Sequence, residues 1–244
     1  MPHGTETSRD IASDPTRVHQ YLISDTLEAG CVSHLLSNRC EEARVWMNTF
    51  ELVGRQAKSA YDLGDFIWHY DGAISVWGIA GVGKSTLVRS VYYHAMLGWQ
   101  QLFESPRSAL FLCDYARGFT MYSWVNAPHP FNLTDFSRSL LLDFLSDDMQ
   151  AKEAAAVGFV EGQDSIPGCR RILHKHKCFI VIDGLRSTHD WDLIKEAFLP
   201  DNTKSCIIVI TNEKKVAKHC VQKEGQVVNI KGLDSGLHLF KKVC

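Results

Sequence analysis

From residue 70 onward, short unbroken apolar runs alternate with stretches whose apolar residues return every three or four positions. Residues 74–77, 178–183, 206–211 and 226–230 are runs of the first kind, and 121–126 joins them. An unbroken apolar run of this length fits a strand covered on both faces, the setting of a parallel sheet. The helical stretches fall between them. Residues 84–96 set Leu87, Val88, Val91, Tyr92 and Ala95 on one face, and residues 133–145 do the same with Phe136, Leu140 and Phe144. Segments 169–175, 191–198 and 213–220 complete the alternation, and Ser187 with Asp190 three residues on forms a capping-box-like start. Residues 109–113 read as a strand that forms a hairpin with 121–126 across 114–118. Residues 151–162, small and polar, read as a mobile loop or a short helix. The alternation predicts an α/β fold: a five-stranded parallel sheet flanked by helices.

The first fifty residues follow no such rhythm. Residues 1–14 are rich in Ser, Thr, Asp and Glu and read as disordered. Asp14-Pro15 offers a helix start, with Val18, Tyr21 and Leu22 after it, and a second short helix is expected over 41–49, carrying Ala43, Val45 and Trp46. This lead-in is partly helical and too short for a core of its own.

Composition narrows the class without naming a chemistry. Apolar residues make up 45% and charged ones 22%, with a formal net charge of −2. The cations are scattered, so no basic stripe points to nucleic acid. The longest apolar run, Ile74 to Val82, falls far short of the ~20 residues that span a bilayer, and the polar start lacks a secretory signal, which gives the expectation of a cytoplasmic chain with no membrane span. Eight cysteines without a CxxC pair, several inside apolar runs, read as reduced core residues. Three small clusters are set aside. His174, His176 and Cys178 alternate without a second ligand pair nearby, Cys31-x-x-His34 with Cys40 carries similarly little weight, and adjacent His219 and Cys220 do not face each other on a helix.

The chemistry lies at Gly78-Ile79-Ala80-Gly81-Val82-Gly83-Lys84-Ser85-Thr86, which matches G-x-x-x-x-G-K-[ST] between a strand and an amphipathic helix. Glycines let the backbone turn tightly and aim N–H groups at phosphate oxygens, and the helix that follows points its positive end there. Lys84 serves as a mobile charge for the β and γ phosphates, and Ser85 offers a hydroxyl to Mg²⁺. A carboxylate at a neighbouring strand tip completes such a site, and Phe179-Ile180-Val181-Ile182-Asp183 supplies one. Lys84 and Asp183 are therefore the candidate catalytic residues, with Ser85 and Asp183 as the metal pair. The next position, where related ATPases carry a second acid to activate water, is Gly184. Glycine accepts no proton, and general-base help is typically worth about 10²- to 10⁴-fold, so the expectation is binding with slow turnover. Glu213 and Asp190 are the alternative carboxylates, neither at the expected spacing. Restoring Asp at 184 is expected to raise turnover where the geometry is otherwise intact.

With these residues in view, the chain resembles the NB-ARC module of plant NLR immune receptors. Glu51-Leu52-Val53-Gly54-Arg55 is similar to the upstream segment that wraps adenine. The phosphate loop follows, then Tyr122-Ser123-Trp124-Val125-Asn126 with Pro130-Phe131-Asn132-Leu133, then the Asp183 strand with Trp191-Asp192-Leu193-Ile194. Residues 207–216 resemble the sensor strand, and Gly232-Leu233-Asp234 the start of the next subdomain. The resemblance implies that Val53, Gly54 and Arg55 contact adenine or ribose, that Gly78, Gly81, Val82, Gly83, Lys84, Ser85 and Thr86 hold the phosphates of ADP or ATP, and that Asp183 sits near Mg²⁺. The family's sensor strand ends in Arg; here Asn212 stands in that place, which brings ATP sensing, though not ADP holding, into question. It also implies three parts: a lead-in over 1–50, a nucleotide-binding domain over 51–231, and the beginning of a truncated ARC1 subdomain over 232–244. The function that follows is a nucleotide-dependent switch in plant defence, with nucleotide and other NLR chains or signalling proteins as partners. An active P-loop ATPase and a nucleotide-independent interaction fragment remain the alternatives.

Overall fold

Five strands form one parallel sheet in the order β2-β3-β4-β1-β5. They are β1 (Gly72–Trp77), β2 (Met121–Asn126), β3 (Cys178–Asp183), β4 (Cys206–Thr211) and β5 (Val227–Asn229). The computed structural model describes residues 37–49, 63–64, 67, 72–104, 118–146, 149–160, 162, 164–199 and 204–230. The expected helix after Asp14, the Glu51–Arg55 segment, the 109–113 strand of the hairpin and the stretch from 232 to 244 lie outside the described residues.

Seven helices connect or precede the strands among these residues: α1 (Ser37–Thr49), α2 (Lys84–Glu104), α3 (Leu133–Phe144), α4 (Met149–Val160), α5 (Ile166–Lys175), α6 (Thr188–Phe198) and α7 (Lys214–Cys220). Side chains alternate across a strand, so the central strands feed two cores. Ile180, Ile182, Ile207 and Val209 face one layer, built from α3, α4, α5, α6 and α7. Phe179, Val181, Ile208 and Ile210 face the other, built from α1 and α2. This is why the strand sequences show no polar alternation: both faces are covered. Cys40, Cys169, Cys178, Cys206 and Cys220 are free thiols in these layers. Burial pushes Cys169, Cys178 and Cys220 up to about 12, which keeps them protonated and unreactive.

Local chemistry sets the helix starts. Asn132 caps α3 by accepting from Thr134 N (2.9 Å) and Asp135 N (3.1 Å), and Phe131 packs on Phe136 with ring centroids 5.8 Å apart, a hydrophobic staple. Ser187 caps α6 by accepting from His189 N at 3.1 Å. Residues 149–160 form a twelve-residue helix where a loop or short helix was expected over 151–162. Their alanines favour helix intrinsically although they carry no apolar stripe.

Among the described residues β2 is an edge strand, and side chains meet part of its outer edge. Arg39 of α1 donates to Tyr122 O at 2.7 Å and to Asp143 Oδ1 at 3.0 Å, and also reaches Asp143 O and Ser146 Oγ. Asp143 Oδ2 in turn accepts from Trp124 N at 2.8 Å. One outward carbonyl and one outward N–H of β2 are thus matched by the two members of an ion pair.

Candidate functional site

Adjacent strands β1 and β4 send their following helices to opposite faces, α2 to one core and α7 to the other. Such a divergence opens a crevice at the carboxyl ends of the strands. A cleft of about 750 Å³ lies there, within the usual range of small-molecule sites.

Its floor is the loop between β1 and α2. Gly81 (φ 78°) and Gly83 (φ 90°) hold left-handed backbone that other residues resist. Val82 packs into the α2-side core and anchors the loop, while Ile79 is 70% exposed at its crown. Gly78 is small for a different reason: a Cβ there would stand 2.5 Å from Ile230 O, just where Ile230 N pairs with Trp77 O at 2.8 Å. The Lys84 ammonium lies inside the loop and donates to Gly78 O (3.0 Å), Ile79 O (2.8 Å) and Asn212 Oδ1 (2.7 Å). Burial lowers its pKa, and the nearby Asp183 carboxylate pulls in the opposite direction.

The far wall comes from β3 and its continuation. β4 lies between β1 and β3, so the loop and Asp183 are separated by two strand spacings of about 4.8 Å each. After Asp183 the chain crosses the tip of β4, with Gly184 N and Leu185 N both bonded to Ile210 O at 3.0 and 3.2 Å. That crossing requires φ +82° at Gly184. Glycine here therefore answers a backbone demand as well as lacking a carboxylate. At the tip of β4, Thr211 Oγ1 accepts from Glu213 N at 3.1 Å and so holds Asn212 out between the two walls. Glu213 lines the cleft, and as N-cap of α7 its side chain makes no cap bond.

A sequence profile of the NB-ARC domain family matches residues 112–244, more than half of the chain. The chain belongs to that family. The match begins beyond the phosphate loop, so Gly78 to Thr86 and the β1–α2 geometry stand as separate observations. This NB-ARC chain is 27% identical over 141 residues to the probable disease resistance protein RF45 of Arabidopsis thaliana, covering 57% of the chain and 12% of that relative. To the rice disease resistance protein RGA4 it is 27% identical over 175 residues, or 70% and 15% of the two chains. To the probable disease resistance protein RXW24L of Arabidopsis it is 27% identical over 188 residues, or 74% and 18%. The chain thus spans less than a fifth of these relatives. A solved structure titled as Drosophila ORC bound to poly(dA/dT) DNA and Cdc6 aligns with a TM-score of 0.38 at 9% identity over 98% of this chain and 37% of that one, too slight to carry an argument.

In this NB-ARC fold, Gly81, Lys84, Ser85 and Asp183 share the one cleft. Gly78, Val82, Gly83 and Thr86 belong to the same loop and helix start. Val53, Gly54 and Arg55 lie outside the described residues. Mg²⁺ takes one or two protein carboxylates alongside water and phosphate oxygens, and the Asp183 carboxylate with the Ser85 hydroxyl is a donor set of that kind. Three roles escaped the sequence reading. Asn212 holds the loop lysine, Arg186 lies on the Asp183 wall, and Lys215 comes from the first turn of α7. A strand-order argument placing β4 between the loop and Asp183 would have found the first.

Proposed function

We propose that this chain binds ADP or ATP with Mg²⁺ in the cleft and forms the nucleotide-binding part of a cytoplasmic plant immune receptor, a switch with weak hydrolysis. The observation that carries this is the Lys84 ammonium, gathered by loop carbonyls and Asn212 at the mouth of a helix start, with Ser85 and Asp183 on the same cleft. Phosphate oxygens compete well for those ammonium protons because they are charged acceptors, and the α2 amide end adds to the attraction. The family's disease resistance relatives support the defence setting. Other receptor chains or signalling proteins are the partners such a switch would report to.

Calorimetry with Mg-ADP and Mg-ATP tests the binding, together with extraction of nucleotide from the purified protein. Lys84→Ala is expected to weaken both nucleotides by at least about tenfold, the loss of one charge-assisted contact. A folded wild-type chain that gives no heat with either nucleotide sinks the reading.

A second reading, a working ATPase, draws on Glu213, a carboxylate on the cleft whose side chain caps nothing. Steady turnover that disappears in Glu213→Gln would favour it. Turnover that is slow in wild type and unchanged in the variant favours the switch.

A further inference from the structure

The cleft carries more positive charge than the phosphate loop alone provides. Beside Lys84 its lining includes Arg186 and Lys215, together with the carboxylates Asp183 and Glu213. Arg186 is the most firmly placed of the two additional cations. Leu185 before it is fully buried and bonded to Ile210 O, and Ser187 after it is the N-cap of α6. Its backbone is therefore pinned on both sides. Its side chain is exposed on the Asp183 wall and has no hydrogen bond or ion pair among the described residues. Lys215 instead extends from the first turn of a seven-residue helix on a long flexible stem.

Asn212, which projects into the same space, has its carbonyl oxygen on Lys84 and retains only neutral amide donors. A diphosphate and a triphosphate differ by one phosphoryl group and its charge. Lys84 serves both. A planar guanidinium pairs with a phosphoryl group through two parallel donors, which an amide cannot match in charge or a lysine in geometry.

We infer that Arg186 recognises the terminal phosphate of a bound nucleoside triphosphate and sets the preference of this chain for triphosphate over diphosphate. The inference rests on the nucleotide-binding reading above.

The test is calorimetry with Mg-ADP and with a hydrolysis-resistant Mg-ATP analogue, on wild type, Arg186→Ala, Arg186→Lys, Lys215→Ala and Lys84→Ala, with melting temperatures to verify folding. Arg186→Ala is expected to weaken the triphosphate analogue by about tenfold or more while ADP stays within about twofold, since one charge-assisted pair is lost for one ligand only. Arg186→Lys is expected to recover part of the preference and Lys215→Ala to keep it. An unchanged ratio of the two affinities in Arg186→Ala, or the loss appearing in Lys215→Ala instead, overturns the assignment while leaving the cradle intact. Absence of binding in folded wild type overturns the cradle, and this inference with it.

Discussion

Asn212 occupies the position where a charged sensor was expected, yet it is engaged: its side-chain oxygen takes one of the three protons of Lys84 at 2.7 Å. A neutral acceptor shares that proton and yields it to phosphate. A carboxylate would not, because it pairs with the ammonium and repels the ligand. Asn212→Asp is therefore expected to weaken ADP by about tenfold, with little change in melting temperature, as read by calorimetry. Gly184 illustrates the opposite relation between residue and backbone. There is open space around it, with nothing within 4 Å of a Cβ, but its φ of +82° strains any side chain. Gly184→Asp is expected to fold and to lose about 1 kcal/mol, or roughly 2–4 °C in Tm. Restoring a carboxylate at that position thus alters stability along with chemistry, and turnover measured there has to be set against the melting curve.

At the scale of elements, the connection from β3 to α6 matters most, because it carries Asp183, Gly184 and Arg186 along one wall. Its far end depends on Ser187 accepting from His189 N. Ser187→Ala is expected to cost about 1 kcal/mol, measurable by urea unfolding at unchanged m-value. This cap was legible in the sequence from Ser187 and Asp190, as were the apolar strands and the loop from Gly78 to Thr86. What escaped has a common cause: it depends on which elements become neighbours. Nothing local says that β4 comes between β1 and β3, so Asn212 read as a missing charge and not as the partner of Lys84. Nothing local says that Ile230 presses on Gly78, so that glycine read only as a phosphate-loop residue. Helix α4 stayed open between loop and short helix for another reason, since alanine propensity leaves no periodic signature.

At the largest scale, the described residues form two apolar layers separated by one sheet, with the cleft where the layers part. Each layer closes one side of that cleft: α2 belongs to the layer that holds α1, while α6 and α7 belong to the other. Helix α1 joins the assembly through Ala43 and Cys40 in its layer and through Arg39 at the border of β2. Arg39 is separated from Asp143 by 104 positions, so the pair spans almost half the chain. Arg39→Ala removes the ion pair of Asp143, which keeps only its bond from Trp124 N, and leaves the Tyr122 carbonyl without this donor in partly covered surroundings, at an expected cost of about 1–3 kcal/mol in a denaturation experiment.

That substitution has a second effect beyond lost stability. Among the described residues β2 is the margin of the sheet, where two charged groups meet one outward carbonyl and one outward N–H, and strand margins left open recruit extended peptide. Without the guanidinium, copies of the chain would begin to stitch together along β2, seen as concentration-dependent growth in light scattering at temperatures where the wild type stays dispersed. A single arginine in the helix that precedes the first strand thus acts as a hem, keeping the fabric of the sheet from being extended by a stranger.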